Sequence, residues 1–441
     1  MKYVAEAPRD TYRSGEGLGV WEHRGKVAAI GIGHAPTCRR WDNDPETSVG
    51  AISIFALRQA MEDAGVDPAD VDGLVIDPVT TTGAYWEKGK PIPQDMLDRW
   101  ECTDDPLDGL AKNSVAWLLK NMPELTGVKF AMNASGCMSR AITAAAQAMG
   151  DGEAHTCLVL KAWHNFEGRY YQGGANAGGS LPGSAALRNL WGAPVCYGTA
   201  MQFNEYCRKY GKTHDMMAPF MQNSRRNGLL FPEGYWAQHR PEALTKEDYL
   251  ASRWIAKPAS LFDNDIPIMC SAAYLFTQAE RAKDMAQSPV YILNHASCRR
   301  PARSMMPTLE EVEDETGRTG KKIYEGAGIS ADDLSFENMY DGFSLFHQFH
   351  LEGLHFRGIG FGEALDFYQT DISIEGPNPV SPSGGNIGAG RSRFWMHTDC
   401  IQQIQRRAGA RQITGISPDI GVSGGPMPTG GDYTVWGVAA D

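Results

Sequence analysis

Short apolar runs typical of buried strands alternate in this chain with segments of helical periodicity. A strand is predicted from Lys26 in KVAAIGIG, and the amphipathic helix after it spans residues 48–64, with Gly65 as its stop signal. Further elements are predicted as strands at residues 73–76, 128–132 and 156–162 and as an alanine-rich helix at residues 139–149. Strands that alternate with helices are typical of βαβ units, so the pattern predicts an α/β fold with a largely parallel sheet.

The second half of the chain repeats this outline. Helices are predicted at residues 309–326, 343–354 and 394–408, and strands at residues 335–339, 411–416 and 433–438. Between the halves we predict helical stretches at residues 197–227 and 245–254 and strands at residues 268–277 and 289–296. A long loop rich in Gly, Ser and Tyr, of the kind that often carries binding functions, is predicted at residues 165–194. Two halves of similar content indicate a pseudo-duplicated α/β enzyme.

Charge and cysteine content narrow the class of protein further. The 441 residues include 41 basic and 53 acidic side chains, a net charge of −12, whereas nucleic acid and anionic membrane surfaces attract a positive field. The nine cysteines are an odd number without a CxxC pair, which is typical of reduced thiols in a cytosol. The sequence shows neither a signal peptide nor a run of about 20 apolar residues. We therefore predict a cytoplasmic protein that binds neither nucleic acid nor membrane.

Four segments rich in small residues stand at junctions between predicted elements. Small residues let a ligand approach backbone N–H groups closely, and helix N-termini favour negative charge. The segments are NASGCMSRAITAAAQAM (133–149), ENMYDGFS (337–344), SPSGGNIGAGRSR (381–393) and DIGVSGGPMPTGGDY (419–433).

Together with VAAIGIG, ALRQAMEDAGVDPADVDGLV, SRRNGLLFP and LTKEDYLASRWIAKPASLFDND, these segments resemble the thiolase superfamily. The resemblance is to sterol-carrier-protein X-type thiolases and to bacterial steroid side-chain-cleaving aldolases. It implies a five-layer αβαβα fold with two similar halves and an inserted loop region. On this basis we divide the chain into an N-terminal extension (1–25), an N-terminal half with a loop insertion at about 163–255 (26–288), and a C-terminal half (289–441).

The departures from the family pattern bear on the chemistry. An ungapped alignment of the alanine-rich helix puts Ser135, not Cys137, at the position of the thiolase nucleophile. The family's other site positions fall on Tyr340, Arg391 and Ser423. The Cys–His–Cys machinery of acyl transfer is therefore missing, and a tyrosine at residue 340 resembles the aldolases, in which tyrosines replace the thiolase acid/base groups. That branch cleaves a bulky β-hydroxyacyl-CoA by a retro-aldol route, without an acyl-enzyme.

The resemblance assigns expected roles to these residues. Tyr340 transfers the proton, Arg391 is a cation beside the phenol or the thioester oxygen, and Asp341 orients one of the two. Backbone N–H groups near Ser135 and Cys137, or around Ser423, Gly424 and Gly425, complete an oxyanion hole, and Gly384 and Gly385 lie close to the substrate. No bound cofactor is expected, since coenzyme A enters as part of the thioester. The family forms homodimers and commonly works with a small OB-fold/zinc-ribbon protein, which implies a heterotetramer.

Other interpretations stay open at this level. The chain could be a β-ketoacyl-CoA thiolase or acyltransferase that uses Cys137 after a register shift, or a non-catalytic subunit that binds acyl-CoA or scaffolds a partner. Cys137 and Tyr340 could also be ordinary core residues, and Arg391 and Arg393 could pair with surface acids. Three histidines at residues 347, 350 and 355 do not share one helical face, so no metal site is predicted.

Overall fold

A computed structural model describes residues 5–6, 13–78, 86, 90–166, 168, 196–298, 307–425, 428 and 430–440. The predicted loop at residues 165–194 lies mostly outside the described residues. The strands are β1 Ala5–Glu6, β2 Val27–His34, β3 Gly73–Asp77, β4 Phe130–Asn133, β5 Thr156–Trp163, β6 Trp254–Ala256, β7 Ala259–Ser260, β8 Cys270–Gln278, β9 Val290–Ser297, β10 Phe336–Met339, β11 Ile420–Gly425 and β12 Asp432–Gly437.

The helices fill the intervals between these strands. They are α1 Val49–Ala64, α2 Gln94–Arg99, α3 Val115–Asn121, α4 Met138–Gly150, α5 Tyr197–Tyr210, α6 Ala218–Leu229, α7 Tyr235–His239, α8 Lys246–Ala251, α9 Ala279–Ala282, α10 Leu309–Ala327, α11 His347–Gly353, α12 Ala364–Phe367, α13 Gly385–Ala389 and α14 Trp395–Ile404. None of the helices in these parts of the chain combines the length and the hydropathy that crossing a bilayer requires.

One mixed sheet contains ten of the strands, in the order β1-β4-β3-β5-β8-β2-β9-β12-β11-β10. The run β3-β5-β8-β2 has its counterpart in β10-β11-β12-β9, because each run starts with a parallel pair and continues with two antiparallel pairs. The two runs join where β2 pairs with β9, with Ala28 opposite Tyr291 and Ala29 opposite Val290. The sheet is thus built from two similar halves.

Helices cover both faces of each half and give the layered αβαβα arrangement. Helix α1 packs on β2, β5 and β8, and α10 packs on β9 and β12, so these two helices form the outer layers. Helices α4 and α14 pack on the opposite faces and share the middle layer. Since successive strand residues point to opposite faces, Ala28 and Ile30 of β2 join the core around α1, whereas Val27 and Ala29 join the core around α4.

Local sequence signals set several helix ends as predicted. The Ser48 hydroxyl accepts from the Ala51 amide at the start of α1, and Gly65 ends the helix in the left-handed conformation at φ 67°. Thr308 and Glu311 form a capping box at the start of α10. The predicted helices at residues 48–64 and 309–326 are thereby confirmed.

Two of the predicted helical stretches differ from the structure in their bounds. The helical stretch at residues 197–227 is two helices, because Gly211 ends α5 in the left-handed conformation and Pro219 starts α6. The helix at residues 245–254 ends at Ala251, and Trp254 begins β6 instead.

No strand forms at residues 411–416, since the side-chain amide of Gln403 pairs with that backbone, accepting from Ile413 N at 2.8 Å and donating to the Arg411 carbonyl at 2.7 Å. The strand lies instead at Ile420–Gly425, within a segment predicted as a junction. The glycine-rich segment 381–390, predicted as a loop, contains the short helix α13.

Candidate active site

Polar side chains gather where parallel strands of the two halves end. Tyr340 follows β10 directly and Gly425 ends β11, while Asp77 ends β3 and Lys161 lies near the end of β5. The carboxyl ends of parallel strands are the usual location of binding sites in α/β sheets. We therefore take these strand ends as the candidate active site.

Tyr340 is buried, with 2% of its surface exposed, and both its backbone and its side chain contact neighbouring residues. Its backbone N–H donates to the Gly424 carbonyl at 2.9 Å, and the guanidinium carbon of Arg393 lies 5.8 Å from its ring centre. A Cβ placed on Gly342 would lie 2.1 Å from that hydroxyl and 2.8 Å from Asp265 Oδ2. The hydroxyl thus lies between a cation and a carboxylate.

The groups around Tyr340 shift the pKa of its phenol in opposite directions. Burial raises the pKa of the phenol, because it disfavours the phenolate. The positive charge of Arg393 opposes that rise, Asp265 adds to it, and Arg391 again lowers the pKa. Arg393 is therefore the main group that favours an ionised Tyr340.

The turn that carries the two arginines is fixed by several hydrogen bonds. Asn386 Oδ1 accepts from the backbone N–H groups of Ser392 at 2.8 Å and Arg393 at 2.9 Å. Arg393 adopts a φ of 63°, a left-handed conformation unusual for a residue with a Cβ. Arg391 is buried, with its Nε 4.0 Å from Asp265 Oδ2. For Arg391 the idea of a surface acid as partner is wrong, since the acid beside it is buried Asp265.

Cys137, and not Ser135, reaches this site. Ser135 is exposed, whereas Cys137 is buried at the N-terminus of α4, with Sγ 3.0 Å from Ser139 Oγ and 3.7 Å from the Gly425 carbonyl oxygen. Gly136 and Cys137 have φ values of 152° and 149°, and this unusual backbone brings the thiol inward. Burial raises the pKa of the thiol, while Arg393, Ser139 and Lys161 oppose the rise.

Sequence reasoning missed the ion pair at the N-terminal half of the site. Lys161 and Asp77 pair across neighbouring strands with almost no side-chain exposure. Burial lowers the pKa of Lys161 and Asp77 opposes that change. The signal was present in the sequence, since the apolar strands TCLVLKAW and GLVID each contain one charged residue.

Asp341 contacts neither Tyr340 nor Arg391 through its recorded hydrogen bonds. Its carboxylate accepts from the N–H groups of Asn386 at 2.6 Å and Ile387 at 3.4 Å, at the start of α13. Burial raises the pKa of this carboxyl to about 7. Asp341 therefore caps a helix behind the arginine turn.

Gly384 and Gly385 make room for protein atoms. A Cβ on Gly384 would lie 2.3 Å from Gly228 N, and one on Gly385 would lie 2.1 Å from Asp341 Oδ2. These two glycines, expected beside the substrate, are thus required by packing.

Ser423 also faces inward. Its Oγ lies 2.7 Å from His397 Nδ1 and accepts from Trp436 Nε1 at 2.7 Å. Gly425 contacts the start of α4 through its carbonyl, which accepts from Ser139 Oγ at 2.8 Å. These contacts involve the Ser423 hydroxyl and the Gly425 carbonyl, so an oxyanion hole made of the backbone N–H groups of residues 423–425 stays a prediction.

A cavity of about 660 Å³ reaches the site at Asp265. Its walls include Arg39, Arg225, Arg240 and Trp236. The Arg225 guanidinium lies 3.6 Å from the Trp236 ring centre, and that of Arg240 lies 5.3 Å from it. No group of three or more His, Cys, Asp or Glu side chains arranged to hold a metal occurs in the part of the chain that the structure describes.

Replacing Gly385 by Ala is expected to destabilise the fold more than replacing Gly409 by Ala. The two glycines have φ values of 59° and 61°, so the backbone strain that alanine adds is about the same at both. The space beside Gly409 is open, whereas a Cβ on Gly385 would clash with the Asp341 carboxylate. We expect the excess loss in the free energy of unfolding to be about 1–3 kcal/mol. Urea unfolding of both variants measures it, and equal losses would contradict the packing role.

Comparisons with known proteins agree with this geometry. Residues 296–427 match the family described as thiolase C-terminal domain-like. The 17-hydroxy-3-oxo-4-pregnene-20-carboxyl-CoA lyase of Mycobacterium tuberculosis is 24% identical over 92% of this chain and 98% of its own length. A steroid side-chain-cleaving aldolase of Thermomonospora curvata is 25% identical over 82% of this chain and 86% of its own.

Among solved structures, the Ltp2-ChsH2(DUF35) aldolase superposes with a TM-score of 0.74 at 21% identity, covering 95% of this chain and 98% of that one. The strand order and the layered arrangement of helices and sheet described above are consistent with these matches. The chain is thus similar to thiolase-superfamily proteins, with a thiolase C-terminal domain-like segment at residues 296–427, and it resembles the steroid side-chain-cleaving aldolases.

Proposed function

We propose that this protein cleaves a carbon–carbon bond in a bulky β-hydroxyacyl-CoA of the steroid side-chain type, by a retro-aldol route. The observation that carries the proposal is the buried Tyr340 side chain at the strand ends, with the Arg393 guanidinium near its ring and Asp265 near its hydroxyl. The two curated relatives, named as a carboxyl-CoA lyase and a side-chain-cleaving aldolase, support it.

The reaction needs one group that moves a proton. Tyr340 accepts the proton of the β-hydroxyl, the oxygen becomes a carbonyl, and the Cα–Cβ bond breaks. The electron pair of that bond moves into an enolate of the thioester, which takes up a proton at Cα. The products are a ketone and a shorter acyl-CoA, and the balance requires no oxidant or reductant.

Positive charge beside Tyr340 suits this chemistry. Arg391 and Arg393 stabilise the negative charge that forms on the thioester oxygen, and Arg393 also favours the ionised phenol. The N-terminus of α4 at Cys137 adds a favourable dipole. In this proposal Ser135, Asp341, Ser423, Gly424, Gly384 and Gly385 stay outside the proton-transfer step.

The cavity fits the coenzyme A part of such a substrate. Arg39, Arg225 and Arg240 supply positive charge for its phosphates, and Trp236 offers an aromatic face. Because the cavity extends to Asp265, a thioester bound there would bring its acyl end next to Tyr340.

A second candidate function is acyl transfer through Cys137. The observation in its favour is the position of the thiol beside Gly425 and at the start of α4. Its ionisation is opposed by burial, which raises the pKa of the thiol. Burial raises the pKa of the Tyr340 phenol as well, so the retro-aldol route is preferred because the two curated relatives are named as a lyase and an aldolase.

Assays of Cys137→Ala separate the two functions. We expect the variant to convert a bulky β-hydroxyacyl-CoA into ketone and shorter acyl-CoA at nearly the wild-type rate, because no acyl-enzyme forms. Chromatography of both products measures the rate. Loss of turnover together with thiolysis of β-ketoacyl-CoA by the wild type would favour the thiolase. Binding of acyl-CoA without turnover of either substrate would favour a non-catalytic subunit.

We further propose that the enzyme is a cytoplasmic homodimer that associates with a small OB-fold/zinc-ribbon partner. The name of the similar Ltp2-ChsH2(DUF35) aldolase, which pairs two components, supports a partner. The repeated strand order supports dividing the chain into residues 26–288 and 289–441 after an extension at 1–25.

A further inference from the structure

The turn that presents Arg393 to Tyr340 is tied to the N-terminal half of the sheet by Trp163. This residue ends β5, and its indole N–H donates to the Ser392 carbonyl at 2.6 Å. The guanidinium carbons of Arg391 and Arg393 lie 5.8 Å and 5.2 Å from the ring centre. Trp163 therefore contacts the turn through a hydrogen bond at its centre and through cation–π contacts with both arginines.

Lys161 lies two residues before Trp163 in β5, so the two side chains leave the same face of the strand. Its Nζ is 3.9 Å from the centre of the Trp163 ring. The same ammonium group is paired with Asp77 at the end of β3. A continuous set of contacts thus runs from Asp77 through Lys161 and Trp163 to the arginine turn.

A buried ion pair such as this one is weak evidence for a role in stability. Side-chain exposure is 0% for Lys161 and 2% for Asp77, and removing such charges from water costs several kcal/mol per ion, about as much as their attraction returns. The neighbouring residues of both strands are apolar, and two apolar side chains would fill the same space. The contact between Lys161 and the Trp163 ring favours a role in positioning that ring.

We propose that Lys161 and Asp77 are a positioning pair that holds the Trp163 ring and, through it, keeps the Arg393 guanidinium on the Tyr340 hydroxyl. The inference rests on the proposed function, in which Tyr340 moves the proton. Lys161 and Asp77 act through Trp163 and not on the substrate.

The double variant Lys161→Met/Asp77→Asn tests the pair without leaving a single buried charge. We expect kcat to fall about 10- to 100-fold with little change in KM, because small misplacements of a catalytic group cost rates of this order. Trp163→Phe keeps a ring but loses the N–H, and we expect the same direction of change. When the two sets of substitutions are combined in one protein, the loss in kcat should be smaller than the product of the two separate losses, since both act through one set of contacts.

A direct readout of Tyr340 makes the test independent of turnover. In protein labelled with 3-fluorotyrosine, the ¹⁹F signal missing from Tyr340→Phe reports the titration of Tyr340. We expect the Tyr340 pKa to rise in Lys161→Met/Asp77→Asn and in Trp163→Phe. The charged groups that face Tyr340 from the neighbouring segments, Arg393, Asp265 and Arg391, remain in each variant.

A matched control is Lys322→Met/Glu315→Gln. This pair is also buried, with 3.8 Å between Lys322 Nζ and Glu315 Oε1, but it lies on α10 in an outer layer. We expect lower stability with unchanged kcat and unchanged Tyr340 titration. An unaltered titration and kcat in folded Lys161→Met/Asp77→Asn would overturn the positioning role and leave the proposed function standing. Full activity in Tyr340→Phe would overturn the proposed function itself.

Discussion

Replacing Tyr340 by Phe is expected to lower the rate of carbon–carbon cleavage by about 10²- to 10⁴-fold, the usual contribution of a positioned acid or base. The ring stays in place, because Phe has the same shape and the backbone N–H of residue 340 still donates to Gly424. Only the hydroxyl between Arg393 and Asp265 is lost. The measurement is kcat for a bulky β-hydroxyacyl-CoA, with binding of a non-reacting acyl-CoA as a test of substrate affinity.

Tyr206→Phe is the matched control for this variant. Tyr206 is equally buried and donates its hydroxyl to Glu352, a residue of α11. We expect it to lose some stability, of the order of 1 kcal/mol, and to keep its rate. If Tyr340→Phe cleaved the substrate as fast as Tyr206→Phe does, Tyr340 would not be the proton-transfer residue.

Replacing Arg393 by Met is expected to lower kcat by the order of 10²-fold and to move the rising limb of the pH profile to higher pH. The sign follows from the charge: a cation stabilises the phenolate, so Arg393 lowers the Tyr340 pKa and its removal raises it. At a fixed pH below that pKa, a smaller fraction of the variant enzyme has Tyr340 in its ionised form, which is the base. A nearby opposite charge shifts a pKa by about 1–3 units, and the pH dependence of kcat should move by a comparable amount.

Arg406→Met controls for the strained backbone at Arg393. Arg406 also has a left-handed conformation, at φ 60°, but its guanidinium pairs with Asp419 at the surface. This variant should keep both the rate and the pH profile of the wild type. A profile for Arg393→Met that stayed in place would show that the Tyr340 phenol does not depend on this cation.

The strand and helix order was predictable because it follows from residue periodicity and from helix caps. Ser48 and Gly65 bound α1, and both signals are local. The strand predicted at residues 411–416 failed for the opposite reason: two of its backbone hydrogen bonds go to the side chain of Gln403 and two to the Ile374 carbonyl, partners that periodicity does not reveal.

The candidate site was predictable only in part. Tyr340, Arg391 and Cys137 lie close together as expected, because Tyr340 follows a strand end next to Gly425, Cys137 contacts the Gly425 carbonyl, and Arg391 lies beside Asp265. The choice between Ser135 and Cys137 depended on two residues with unusual φ values, which an ungapped alignment cannot represent. The link from Lys161 to Arg393 joins segments that are distant in sequence, so it became visible only through contacts.

The repeated strand order lets the side chains at corresponding positions of the two halves be compared. Corresponding strand ends hold Asp77 and Lys161 in one half and Tyr340 and Gly425 in the other. In the proposed mechanism the C-terminal half supplies the reacting phenol of Tyr340, while the ion pair at the corresponding strand ends of the N-terminal half supports the turn beside it. A sheet with this repeated strand order can therefore place two different sets of side chains at one site, one from each half.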